Sequence, residues 1–304
     1  MHISLILINY NTKSDTDECL KSLSVLKTKG FSYNVVVVDN GSMESYSLPR
    51  TLTSNKKFEV VRSEANLGFT GGNNLGIYYA IEKYNSDYTL LLNNDTVVEP
   101  HFLQKLIDCS EDHSEYGLIC PKIYFYKGNE YHKKSYSRSQ LGSVLWYAGG
   151  SIDWPNLAAF HRGVDEVDRG QFDTFSDSDF ATGCCVLIKR EVLEKVGTFD
   201  KRYFLYFEDV DLSVRAHDAR YGIGFCPEAV VWHKNAGSSG GAGSSVHNYY
   251  IARNRLLFAF KHGGNKSKLV GLRVLLQYLL TGTNYQKTAV LHFLFRRFGK
   301  QPIV

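Results

Sequence analysis

The chain has 304 residues and is 43% hydrophobic, enough to bury one large core or two modest ones. Its six cysteines, at 19, 109, 120, 184, 185 and 226, include no C-x-x-C pair, which argues against a zinc framework or a disulfide scaffold and suits a reducing cytosol. The net charge of +4 is uneven: eleven basic and no acidic residues follow Glu228, so the tail calls for an anionic partner.

The opening run MHISLILINYN lacks the basic flank and cleavage site of a signal peptide and is strand-length. No stretch reaches the roughly 18 uninterrupted apolar residues that a membrane-spanning helix needs. Apolar, β-branched runs at 3–8, 35–38, 59–62 and 88–92 read as strands, and 16–29 and 71–84 read as helices between them. Continuous apolar strands separated by helices predict an α/β fold with a mainly parallel sheet covered on both faces. Ligands of such sheets sit at the carboxyl ends of the strands. Those ends are polar here: Asn9-Tyr10-Asn11, Asp39-Asn40-Gly41-Ser42, Glu64-Ala65-Asn66-Leu67-Gly68 and Asn93-Asn94-Asp95. One such end is a turn, but four on one sheet edge form a binding crevice. Asp39 offers a carboxylate that can accept the imide N–H of a uracil or thymine. The small residues around Gly68 and Gly71-Gly72-Asn73-Asn74 precede a helix, where backbone N–H groups can meet a nucleotide or phosphate.

The second half is less regular. Residues 127–180 read as extended loops; strands return at 184–189 and 230–233, and helices at 191–196 and 210–221. The glycine–serine stretch at 235–245 suits a lid or a linker, and VHNYYIARNRLLFAFKH beyond it is helical in pattern. Neither G-x-G-x-x-G after a strand nor a P-loop is present.

Instead, the motifs ILINYN, VVVVDNGS, NLGFTGGNNLG, LLLNNDT, ATGCCVLIKREV, FDKRYFLYFEDVDLSVRA and VVWHKNAGSSGG…NYYIARNRLLF follow in order. Together they resemble the inverting family 2 glycosyltransferases of the GT-A fold, nearest the bacterial rhamnosyltransferase and galactofuranosyltransferase-like branch. The resemblance runs from about residue 3 to about residue 260. It implies a GT-A domain over 1–260, with a donor half to about 125 and an acceptor half after it, and a basic helical extension over 261–304. It implies that Asp39 holds the base, with Asn9, Asn11, Asn40, Ser42, Asn66, Gly68, Asn74 and Asn94 around the nucleotide. Asn93-Asn94-Asp95 stands where the family has Asp-x-Asp, so Asp95 would bind Mg²⁺ or Mn²⁺ while Asn93 lacks the first carboxylate. His233, before the glycine–serine stretch, would be the second metal ligand. Asp209 matches the general base, with Glu208 and Asp211 supporting it or the acceptor. Thr182, Gly183 and Cys184 would lie beneath donor sugar and acceptor, and Arg253 would offer a cation to a diphosphate.

The expected reaction moves a sugar from a dTDP- or UDP-linked donor to an acceptor hydroxyl with inversion, in cell-surface polysaccharide or O-antigen synthesis. Three rivals are a nucleotidyltransferase, an inactive sugar-nucleotide or glycan-binding module, and a nucleic-acid binder. The first lacks a basic glycine-rich loop after the first strand, and the last lacks a motif, so nucleic acid is not an expected partner. Apolar residues from Leu269 to Phe298 recur at helical spacing among Arg273, Lys287, Arg296, Arg297 and Lys300. That pattern fits peripheral attachment to an anionic membrane at the cytoplasmic face, near a lipid-linked acceptor, or packing on the GT-A domain or a second subunit.

Overall fold

A computed structural model describes residues 1–235 and 243–302. The sheet is built outward from His2–Asn9 (β1), whose Ile3, Leu5, Ile6 and Leu7 are fully buried because helices cover both faces. Ser32–Asn40 (β2) and Tyr88–Asn93 (β4) pair with it in parallel on either side, and Phe58–Ser63 (β3) adds beyond β2. Lys13–Leu23 (α1) links β1 to β2, and Gly68–Tyr84 (α2) links β3 to β4. The expected helix at 16–29 thus starts and stops earlier. Helix α2 starts earlier than the expected 71–84 and absorbs the glycine-rich stretch. A Cβ at Gly76 would sit 2.3 Å from Ile6 Cγ2, so that glycine lets α2 lie against β1 rather than touch a nucleotide.

Thr96–Val98 (β5), Phe102–Asp112 (α3) and Tyr116–Phe125 (β6) complete the first half. The expected loops at 127–180 contain Leu145–Tyr147 (β7), Gly150–Asp153 (β8), Ala158–His161 (β9) and Ser176–Asp177 (β10), with β8 and β9 paired as a hairpin. Cys185–Lys189 (β11), Arg190–Val196 (α4), Glu208–Asp218 (α5) and Gly222–His233 (β12) follow. The last strand is far longer than the apolar 230–233 suggests, because it pairs along the whole of β6.

The order β10-β12-β6-β11-β4-β1-β2-β3 makes one sheet, with β5 on β12 and β7 on β6. It is parallel over β4-β1-β2-β3 and mixed beyond, since β11 runs antiparallel to both β4 and β6. Successive strands step outward from β1 to β3, and the chain then returns to the other side of β1 for β4. That reversal opens a crevice outside the carboxyl ends of β1 and β4.

Ser245–His262 (α6), Asn265–Thr281 (α7) and Asn284–Leu294 (α8) close the chain. Leu257 and Phe258 of α6 enter the main core, while Leu256 packs with Val274, Leu275 and Val290. Helix α6 therefore straddles the boundary expected at 260 and ties the last two helices to the sheet. Among the described residues, no helix is long and apolar enough to cross a membrane.

Candidate active site

A crevice of about 800 Å³ lies at this sheet edge. The turn Asn94-Asp95 joins β4 to β5 on its floor, fastened where Thr96 Oγ1 donates to the Asn93 carbonyl at 2.7 Å. Strand β5 pairs antiparallel with β12 in a register that sets His233 opposite Thr96. Two residues far apart in sequence thereby meet: His233 Nε2 lies 3.1 Å from Asp95 Oδ1. Adjacent ligands about 2.1 Å from one octahedral ion stand about 3 Å apart, so the pair matches one edge of a Mg²⁺ or Mn²⁺ shell. Trp146 from β7 meets the His233 ring edge-on at 4.6 Å and limits its tilt. No cluster of three or more His, Cys, Asp or Glu among the described residues could hold a metal alone. The remaining ligands would come from water and substrate oxygens.

Asp209, on the first turn of α5, faces the same crevice. Its Oδ2 accepts from the Gly183 N–H and its Oδ1 from the Val210 N–H, each at 2.9 Å. Gly183 is in place because β11 pairs with β4, and the Asn93 N–H donates to the Cys184 carbonyl at 2.8 Å. The same pairing therefore fixes the distance between the acid at 209 and the acid at 95. Burial raises the proton affinity of Asp209 above that of an ordinary aspartate, and its two N–H donors work against that rise. Glu208 is pushed up further, by burial and by the neighbouring Asp209 charge, and its Oε2 has no hydrogen-bond partner among the described residues. Both carboxyls thus hold a proton more tightly than free ones, Glu208 more so than Asp209.

The turn before α5 is strained. Phe204, Tyr206 and Phe207 all have φ near +70°. Asn254 of α6 holds it: its Nδ2 lies within 2.8–3.0 Å of the Tyr203, Leu205 and Tyr206 carbonyls. Gly68 meets this turn where a Cβ would be 2.4 Å from the Phe204 carbonyl, and its φ of +73° also demands glycine.

Of the residues expected around a nucleotide, Asn40, Asn66, Gly68 and Asn94 line the crevice, as do Thr182, Gly183 and Cys184. Asn40 and Asn66 shape the α2 entry: Asn40 Oδ1 accepts from Leu67 N–H and Asn66 Oδ1 from Gly68 N–H. Asn94 Nδ2 donates to Thr12 and Thr16 hydroxyls at 2.7 Å. Other expectations need correction. Asp39 is fully buried, and its carboxylate is taken by Arg62 and by the Ser42 and Tyr46 N–H groups. Burial works to raise its pKa, but those partners outweigh it and hold the group below the ordinary range. Asn9, Asn11 and Ser42 bond to one another's loop instead of lining the crevice: Ser42 Oγ accepts from Asn9 Nδ2 and from the Asn11 N–H, and Asn11 Oδ1 accepts from the Met43 N–H.

Three further positions move away from the site. Asn74 is buried and bonds both ways with the Phe199 backbone. Asp211 is buried among Arg215, Lys261 and His262, so it braces α5 and does not reach an acceptor. Arg253 is fully buried and donates to the carbonyls of Gly299, Arg202 and Tyr203, leaving no face for a diphosphate.

A carboxylate-lined crevice at a GT-A-like switch point agrees with the family model. The description "Glycosyltransferase like family 2" matches residues 2–255. The chain belongs to glycosyltransferase family 2. This glycosyltransferase is 25% identical over 255 residues to the low-salt glycan biosynthesis hexosyltransferase Agl10 of Haloferax volcanii, covering 84% of this chain and 74% of that protein. It is also 25% identical over 277 residues to the N-acetylglucosaminyl-diphospho-decaprenol L-rhamnosyltransferase of Mycobacterium tuberculosis, covering 86% and 85%. Among solved structures, S. aureus TarS 1-349 in complex with UDP-GlcNAc superposes with a TM-score of 0.60 at 15% identity, over 97% of this chain and 80% of that one. The shared architecture is the GT-A fold.

Several wall residues of this family 2 enzyme carry no mark in the sequence: Tyr131, Trp146 and His161; Tyr10 and Lys300 stand out there, but not for this crevice wall. His161 is held by its Nδ1–H, which donates to the Trp146 carbonyl at 3.1 Å. Burial lowers its pKa to about 4, so it stands neutral at pH 7 with Nε2 as an acceptor. Trp146 and His161 come from the segment that reads as loop, where no periodicity marks them. The expected glycine–serine lid lies largely outside the described residues.

Proposed function

We propose that the enzyme transfers a hexose from a dTDP- or UDP-linked donor to a hydroxyl of a lipid-linked glycan, with inversion at the anomeric carbon. The observation that carries this reading is the placement of the Asp209 carboxylate and the Asp95–His233 pair in one crevice, linked by the β4–β11 pairing. Asp209 takes the proton of the acceptor hydroxyl, whose oxygen forms the new bond to the anomeric carbon. The bond from that carbon to the diphosphate oxygen breaks on the opposite face, and the electron pair leaves with the nucleoside diphosphate. Mg²⁺ or Mn²⁺, when bound, supplies Lewis-acid stabilisation of that leaving charge. Asp95 and His233 would hold it, and Asn93 contributes no charge to the site. Trp146 and Tyr131 offer flat apolar faces to a sugar ring, and neutral His161 accepts from one of its hydroxyls.

Attachment at the inner face of the plasma membrane, through α7 and α8, would bring the crevice to a polyisoprenyl-linked acceptor. The acceptor class is supported by the decaprenol-linked substrate in the mycobacterial relative's name. The reading is tested with a panel of nucleotide sugars, a short-chain polyprenyl diphosphate glycan acceptor, and detection of released nucleoside diphosphate. Transfer from one or more donors, with inverted configuration in the isolated product and loss of activity in excess chelator, is expected. Full activity in chelator would remove the metal from the mechanism, and retained configuration would remove Asp209 as base.

A further inference from the structure

The crevice has a charge problem. Asp15, Asp95 and Asp209 all line it, and a diphosphate entering it brings more negative charge. A divalent ion on Asp95 and His233 offsets part of this. The cation expected from sequence, Arg253, is spent inside the protein on three backbone carbonyls. Lys234 is spent on Asp15 and Glu18, at 2.8 and 2.7 Å. Arg62 is paired with Asp39. Positions 236–242 are Ala, Gly and Ser by sequence and can add no charge. Among the described residues lining the crevice, Lys300 is the one lysine or arginine.

Lys300 is no ordinary tail residue. After α8 the chain folds back over the strained aromatic turn, where the Gly299 N–H donates to the Arg202 carbonyl at 2.9 Å. Arg253 Nη1 donates to the Gly299 carbonyl at 2.7 Å, and the Gln301 N–H donates to the Tyr250 hydroxyl at 3.3 Å. Lys300 is thus bracketed by two fixed residues. Its exposed side chain reaches the α2 entry, with Nζ 3.5 Å from the Asn66 carbonyl, at the outer limit of a hydrogen bond.

We infer that the C-terminal strap exists to deliver Lys300 as the protein's cation for a substrate diphosphate. The inference rests on the transferase reading above. It also gives Arg253 its function: this arginine does not touch the diphosphate but anchors the strap that does. A lysine suits the task because its flexible stem lets a compact charge follow a group that arrives and leaves. Two substrates carry that chemistry, the nucleotide sugar and a lipid diphosphate acceptor, and both would enter this crevice.

The test uses full-length enzyme and two variants, Lys300→Gln and Lys300→Arg. Nucleoside diphosphate and plain nucleoside are titrated calorimetrically with Mg²⁺ present, and KM is measured for the polyprenyl diphosphate acceptor. Removing one charge-assisted hydrogen bond at a partly solvated site corresponds to roughly a 10-fold change. If the donor is the partner, Lys300→Gln weakens diphosphate binding by about that factor and leaves nucleoside binding unchanged. If the acceptor is the partner, the same variant raises acceptor KM alone. In either case Lys300→Arg restores most of the loss, and the difference shrinks at high salt. Unchanged diphosphate affinity and unchanged acceptor KM in Lys300→Gln, with sugar transfer intact, would overturn the inference and leave the transferase reading standing. A wild-type enzyme that binds no nucleoside diphosphate and transfers no sugar would overturn the reading itself.

Discussion

Two adjacent carboxylates, Glu208 and Asp209, share one partly dry position and differ in their hydrogen bonds. Asp209 accepts from two backbone N–H groups, while Glu208 Oε2 has no partner among the described residues. Asp209→Asn should therefore leave nucleotide binding nearly intact and lower kcat by about 10²–10⁴-fold, the range of a lost general base. Near wild-type turnover in that variant, with Glu208→Gln inactive, would exchange their roles. The raised pKa of Asp209 places the acid limb of its rate profile above the range of an ordinary aspartate, so kcat should fall before the fold does as pH drops. For Glu208 the consequence is thermodynamic. A carboxyl whose folded pKa exceeds its unfolded value makes the native state hold the extra proton. Stability then falls as pH rises from the unfolded value, about 4.3, toward the folded one. Glu208→Gln removes that cost, so it should raise Tm at pH 7–8 and give no gain at pH 4. Equal Tm shifts at both pH values would show that Glu208 is not held protonated.

At the scale of elements, helix α5, which carries Glu208 and Asp209, is aimed by something outside itself. Three residues with positive φ would each cost on the order of 1–3 kcal/mol in isolation, so the aromatic turn persists only because α6 holds it. Between them, Asn254 and Arg253 donate to the carbonyls of Arg202, Tyr203, Leu205 and Tyr206. Asn254→Leu should leave buried carbonyls unpaired, costing roughly 1–3 kcal/mol each, and should lower kcat more than donor affinity. Equal losses in kcat and binding would instead show general unfolding of the site.

This arrangement also explains what the sequence can and cannot reveal. The parallel strands β1 to β4 announce themselves as apolar runs, and the polar clusters after them mark the crevice correctly as an edge. Asp95, Asp209 and His233 each sit in a distinctive motif, and all three line the crevice. Arg253, Asp211 and Asn74 sit in motifs just as distinctive, yet their side chains turn inward. A sequence shows that a polar residue is present, not which way burial points it. The two-residue turn into β5, which delivers His233 to Asp95, leaves no periodic trace. Trp146, His161 and Lys300 reach the crevice through short strands and a strap whose placement depends on contacts distant in sequence.

For the whole molecule, the charge imbalance and the last two helices bear on the proposed membrane attachment. Helix α7 buries Gly271, Val274 and Leu275 against its neighbours, which satisfies its packing. That leaves Leu269, Leu272, Leu276 and Leu280 exposed, at spacings that put them on one stripe. Leu291, Leu294 and Phe295 of and beside α8 are exposed as well. Lys266, Lys268, Arg273, Arg296 and Arg297 surround these residues in solvent, with no acid on the segment. The sequence-derived choice between a face that packs and a face that meets lipid thus resolves into two faces. Leu275 and Val290 pack; Leu269, Leu272, Leu276 and Leu294 do not. A second protein subunit could cover leucines, but it would have to supply acids for an all-basic rim, and an anionic bilayer supplies both chemistries at once. Each basic residue near such a surface contributes on the order of 1 kcal/mol, and each leucine that enters the interface adds to that. Full-length enzyme should therefore co-sediment with vesicles containing phosphatidylglycerol at low salt, and less so at high salt or with phosphatidylcholine alone. Leu269→Gln, Leu276→Gln and Leu280→Gln together should reduce binding at both salt concentrations while leaving donor hydrolysis unchanged, because none of the three lies near the crevice wall. If wild type and triple variant remain equally in the supernatant with anionic vesicles, the exposed stripe is not a membrane face.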